Sequence, residues 1–196
     1  MINALYEPFP DTISADGEDY PIITDFREWL KFADMAADNE LSSREKLLLM
    51  TQWLLEPPQV LTAELVRALC DFYKGTALER DLPEAQFEDE KDKTDMPPEP
   101  PVLNWKIDAA FIIGDFQRFY GIDLLTAEMH WWRFRLLFHA LPEESQMMRR
   151  IGYRKIDIGQ IKNESERKRV MKLKQLYALP IELDEDDIAA VFGGGM

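Results

Sequence analysis

Apolar side chains recur at three- and four-residue intervals along most of the chain, the spacing of one buried face on an α-helix. The first such run is Phe26, Trp29, Leu30 and Ala33. Thr24 is placed to cap it, and Asp25 in the first turn meets the positive end of the helix dipole. Ser42 and Glu45 have the spacing of a capping box, followed by Leu47, Leu48, Met50, Trp53, Leu54 and Leu55. Pro57 and Pro58 predict that this second helix ends near Glu56. Thr62 opens a third helix carrying Leu65, Val66, Leu69, Phe72 and Tyr73, with Gly75 as its stop.

Further along, Ile107, Phe111, Ile112, Phe116, Phe119 and Tyr120 define a helix closed by Gly121. Thr126 is expected to cap the next, which holds Met129, Trp132, Phe134, Leu136, Leu137, Phe138 and Leu141. Pro142 suits the first turn of a short helix ending at Ile151-Gly152-Tyr153-Arg154. Asn163 and Glu166 predict another capping box, at the start of a basic helix running to about Tyr177. Asp184-Glu185-Asp186-Asp187 then opens a last short helix before the Gly193-Gly194-Gly195 tail. Near the start, Ile13-Ser14-Ala15 and Glu18-Asp19-Tyr20 flank Asp16-Gly17, a pair suited to a two-residue hairpin turn with φ > 0 at both positions. The expectation is an all-α protein: a compact bundle of about seven helices with a small N-terminal β-hairpin.

One stretch breaks the pattern. Residues 79–101 hold nine acids, three bases and five prolines, with few large apolar side chains. Such a composition buries too little surface to offset the entropy of ordering it. It predicts an acidic, flexible, Pro-rich linker between an N-terminal part (1–78) and an aromatic-rich helical part (102–180), with 181–196 as an acidic helix and Gly tail. The whole is expected to form one structural domain.

Charge sharpens this picture. The 196 residues carry 23 Lys and Arg against 37 Asp and Glu, a formal net charge of -14. Residues 1–100 account for all of it, with 23 acids and 9 bases; residues 101–196 hold 14 of each. Within 149–174, ten bases face three acids. The body is therefore acidic with one basic segment, and the overall field disfavours nucleic acid as a partner. A single cysteine, Cys70, excludes an internal disulfide and fits a reducing compartment. A basic, apolar leader and an apolar run long enough for a membrane span are both missing from the sequence, so the expected setting is the cytoplasm, with no membrane partner.

Candidate chemistry is sparse. His130 and His139 lie nine apart, a spacing that points them to different sides of one helix, so they cannot share a metal ion as i, i+4 histidines would. Cys70 falls at an apolar helix position, as a small packed side chain would. Phosphate-loop, dinucleotide and nucleophile-elbow patterns are missing. Asp115 is placed to pair with Arg118 or Arg135 rather than to act as a catalyst. The reading is of a protein with no catalytic residues, no metal and no cofactor. The adjacent indoles Trp131 and Trp132 leave two options. Either their helix is central, or one ring faces a partner. With Tyr153, Arg154, Arg167, Lys168 and Arg169 of the basic segment, they make up the candidate partner-binding residues.

Four blocks occur in order: Tyr20-Pro21-Ile22-Ile23-Thr24-Asp25-Phe26-Arg27-Glu28-Trp29-Leu30, Phe119-Tyr120-Gly121-Ile122-Asp123, His130-Trp131-Trp132-Arg133-Phe134 and Ile151-Gly152-Tyr153-Arg154. Together they resemble the bacteriophage Gp fifteen family of siphophages and prophages of Gram-positive bacteria, over roughly 5–57 and 107–177. The resemblance implies a non-catalytic tail-module protein, a tail assembly chaperone that binds the tape-measure protein and other tail-assembly proteins in the host cytoplasm. It leaves self-association open and supplies no catalytic residues. Two alternatives stand beside it: a structural tail or connector component of the virion, and a nucleic-acid binder acting through 149–174.

Overall fold

The computed structural model describes residues 4–78 and 101–180. Among them are seven α-helices and one two-stranded antiparallel sheet, so the protein is mostly α as the apolar periodicity predicts. The expected linker, but for Pro101, and the expected acidic helix and Gly tail lie outside the described residues. The chain divides into two compact units. Unit 1 takes 4–78 and 113–141 of the described residues; unit 2 takes 101–112 and 142–180.

Unit 1 begins with strands β1 (Thr12–Ala15) and β2 (Glu18–Pro21), registered Ile13 to Tyr20 and Ala15 to Glu18. Asp16 and Gly17 turn the chain at φ 53° and 81°, the two positive values such a tight turn requires. Ile13 and Ala15 are buried while Thr12 and Ser14 face water, the period-two alternation of a one-sided sheet.

Helix α1 (Phe26–Ala37) follows. Its cap is Asp25, whose carboxylate accepts from the Arg27 N–H at 2.9 Å, and not the expected Thr24. The Thr24 carbonyl accepts instead from the Trp131 N–H, and the Phe26 N–H donates to the Met129 carbonyl. A bridge between Asp25 and the distant His130 of the same chain thus engages Thr24 ahead of the helix. The same competition shortens α2 (Ser43–Met50), which has the expected Ser42–Glu45 capping box but stops well before Glu56. After it Thr51–Trp53 tighten into a 3-10 turn, and Leu54 becomes extended to bridge Ile22. The Trp53 carbonyl accepts from the Ile23 N–H and its indole N–H donates to the Glu28 carbonyl at 2.9 Å. Bonds to α1 and the segment before it replace the last helical turn.

Helix α3 (Ala63–Lys74) has the expected Thr62 cap and ends on Gly75 at φ 68°. The Gly75 and Thr76 N–H groups donate to the Phe72 and Asp71 carbonyls, the closure that a left-handed terminal glycine permits. Helix α4 (Ala109–Tyr120) contributes residues 109–112 to unit 2 and 113–120 to unit 1. Helix α5 (Trp131–His139) starts later than expected. Thr126 sits in a turn organised by Asp123, and His130 caps α5 by accepting the Trp132 N–H on Nδ1 at 3.0 Å. Its Nε2 lies 3.0 Å from the Pro10 carbonyl, so Nε2 carries the proton.

The core of unit 1 is a stack of rings. Phe134 of α5 lies near-parallel to Phe26, Phe116 and Trp131, with centroids 4.8, 5.2 and 5.8 Å away. Trp29 packs against Phe72 at 4.8 Å, and Phe72 against Trp132 at 5.1 Å. Each such ring, taken wholly out of water, contributes roughly 1.5–3 kcal/mol.

In unit 2, α6 (Gln146–Lys155) is capped by Ser145, which accepts from the Met148 N–H, so Pro142 lies in the preceding turn rather than in the helix. Helix α7 (Glu164–Tyr177) has the expected bounds, and Asn163 accepts from the Glu166 N–H at 3.0 Å. Val170 is its buried residue.

Candidate docking surfaces

The sequence-predicted binding residues separate into three groups by where the fold puts them. Trp131 and Trp132 are interior, at 0 % and 2 % exposure. The helix carrying them is central to unit 1, so adjacent positions about 100° apart both find neighbours. Their indole N–H groups donate to the Tyr73 and Phe72 carbonyls, each at 2.8 Å, and Arg135 donates to the Tyr73 carbonyl at the same distance. These acceptors are last-turn carbonyls of α3; that of Phe72 also accepts the Gly75 N–H. The two tryptophans close the end of another helix.

Tyr153 and Arg154 belong to unit 2. Tyr153 stacks on Tyr177 at 5.4 Å. Arg154 is buried and forms a two-pronged ion pair with Asp108, its two terminal nitrogens 2.6 and 2.8 Å from the carboxylate oxygens. Its Nε–H donates to the Tyr177 carbonyl and a terminal N–H to the Val102 carbonyl. Asp108 also accepts from the Asn104 N–H. One side chain of α6 thus ties 102–108 to the end of α7. Beside it the Arg150 guanidinium sits 3.4 Å from the Phe111 ring centre and 4.9 Å from that of Tyr177.

Arg167, Lys168 and Arg169 stand exposed on α7. Lys168 reaches Glu164 one turn earlier at 2.8 Å. These three are the candidates that a partner can touch.

A fourth feature was hidden in the periodicity. The second half of α2 is apolar on all sides, and only Met50 is buried. Leu47 and Leu48 open onto a groove of about 420 Å³, walled by Arg44 of α2, by Thr51 of the turn after it and by Leu61, Thr62, Ala63 and Val66 around the start of α3. Leu48 is 65 % exposed. The run Leu47-Leu48-Leu49-Met50 reads in sequence as a core helix; the signal for a surface was that four consecutive apolar residues cannot all face one way on a helix.

The polar atoms of this groove are already engaged. The Thr51 hydroxyl donates to the Leu48 carbonyl. The Thr62 hydroxyl donates to Asp16 and accepts from the Leu65 N–H. A partner here meets apolar side chains and, at one edge, the Arg44 guanidinium. That is surface for docking, and it offers no group poised for proton or group transfer.

The titratable groups with shifted equilibria lie elsewhere. Burial pushes the Tyr73 hydroxyl up to about 12 and holds His139 down to about 4, with the Arg135 charge lowering His139 further. Burial also lowers His130, against the opposing pull of the Pro10 carbonyl and Asp11. Cys70 is half-buried, and burial raises its thiol. Among the described residues no group of three or more His, Cys, Asp or Glu side chains could hold a metal ion. No helix among them is long and apolar enough to cross a membrane.

The fold and surfaces define a mostly α protein whose accessible features are an apolar groove and a basic helix. Residues 5–179 match the family model described as Bacteriophage Gp15 protein, and the chain belongs to that family. It is accordingly a phage structural or tail-related protein. Searches of curated proteins and of solved structures gave no match.

Proposed function

We propose that this protein is a non-catalytic tail assembly chaperone that binds the tape-measure protein in the host cytoplasm. The observation that carries the reading is the α2–α3 groove. Its exposed leucines and internally satisfied hydroxyls suit the apolar face of an amphipathic helix, the helix-in-groove mode of recognition. A net charge of -14 supplies the second requirement, keeping a complex with an apolar client in solution by like-charge repulsion.

Co-expression with the tape-measure protein tests this. The client should move from the insoluble to the soluble fraction and co-purify with the chain. Unchanged client solubility without co-purification would overturn the reading. Mass spectrometry of purified particles separates it from the structural alternative, since a chaperone is absent from the finished virion and a tail or connector component is present.

A further inference from the structure

The two units carry opposite charge. Over the described residues, unit 1 has 17 acidic and 9 basic side chains, a net of -8, while unit 2 has 6 and 11, a net of +5. In unit 1 the stretch from Glu7 to Asp25 contains six acids and no Lys or Arg, and Asp11, Glu18 and Asp19 on the hairpin are exposed. In unit 2 the excess lies on α6, with four bases and no acid but Arg154 already paired with Asp108, and on α7, with five bases and two acids. Val170 turns one side of that helix inward, leaving Arg167, Arg169 and Lys172 exposed and without a salt bridge among the described residues. Arg169, Lys172 and Leu176 follow at i, i+3 and i+7, so they share one outward stripe, and Leu176 is 71 % exposed.

We propose that the outer face of α7 docks the acidic hairpin of a second copy of this chain, head to tail. Three exposed carboxylates meet Arg169 and Lys172 of the stripe; Arg167, two positions before Arg169, lies about 200° round the helix on another side. Made once per pair, the contact is heterologous and generates rings or open chains; made reciprocally, it closes a two-fold dimer. Copies that each carry -14 repel at distance, so unlike patches select the approach that lets them meet. Nucleic acid fits this face less well. The two cations of the stripe displace few counterions, too few to offset the charge of the whole chain. The proposal stands independently of the client reading.

Sedimentation equilibrium of the full chain at about 20 mM and about 0.5 M salt, where the screening length falls from roughly 20 Å to below 5 Å, tests it. At low salt the average mass should rise with concentration above 22.9 kDa and return to that value at high salt. R167E/R169E/K172E and D11K/E18K/D19K should each remain at 22.9 kDa at low salt, with circular-dichroism melts confirming that both fold. An equimolar mixture of the two variants should associate again, because each supplies the patch the other has reversed. A wild-type mass of 22.9 kDa at every concentration would overturn the proposal, as would a mixture no heavier than its components. Salt-sensitive retention of duplex DNA, lost on R167E/R169E/K172E without any self-association of the wild type, would reassign the face to nucleic acid.

Discussion

Arg154 and Asp108 form a buried ion pair in unit 2, with the carboxylate at 0 % exposure and both of its oxygens engaged by the guanidinium. A pair so placed is costly to desolvate, and its value depends on both partners being present. Arg154→Ala leaves a buried carboxylate without its cation and should cost about 3–5 kcal/mol in urea unfolding. Arg154→Lys should recover only part of this, because an ammonium cannot meet two oxygens and two backbone carbonyls in one plane. The double change Arg154→Met with Asp108→Leu should be markedly less damaging than Arg154→Ala; equal loss in both would show that the pair's charge balance is not what matters.

His139 gives a pH dependence. Its folded value of about 4 lies below the ordinary 6.5, so the folded state binds fewer protons than the unfolded state between the two. Stability is then complete above about 6.5 and lost as pH falls toward about 4. Thermal melts should show this decline, and His139→Gln should flatten it over the same window while leaving carboxylate titration at lower pH in place.

Trp132→Phe keeps the ring stack with Phe72 but removes the N–H that reaches the Phe72 carbonyl. That carbonyl keeps the Gly75 N–H, so the loss should be about 1 kcal/mol, the net value of one hydrogen bond, with a modest added term for the smaller ring. Denaturant midpoints measure it, and a loss near that for Trp→Ala, about 3–5 kcal/mol, would mean the ring stack had also collapsed.

The periodic segments of the fold were legible in the sequence, and the bounds of α3 and α7 followed from local signals alone. Thr62, Gly75 and Asn163 act through neighbours a few residues away, which a sequence displays. The ends that differed were set by distant backbone. Thr24 gave up its cap role to a bond with Trp131, and the last turn of α2 gave way to bonds with Ile23 and Glu28. His130 as the cap of α5 was similarly hidden, because histidine is an uncommon cap and its ring is fixed by Pro10, 120 residues away. Among the binding candidates, exposure could not be read from residue type. Trp131, Trp132 and Arg154 are built into the interior, while Leu47 and Leu48, indistinguishable in sequence from core leucines, line the accessible groove.

The most direct test of the chaperone reading is side-by-side co-purification of the tape-measure protein with wild type, L47E/L48E and R167E/R169E/K172E. Both leucines already face water, so L47E/L48E should change stability by no more than about 1 kcal/mol. The account expects the groove variant to lose the client while remaining folded and soluble, and the α7 variant to retain it. A groove variant that holds the client as tightly as wild type would contradict it.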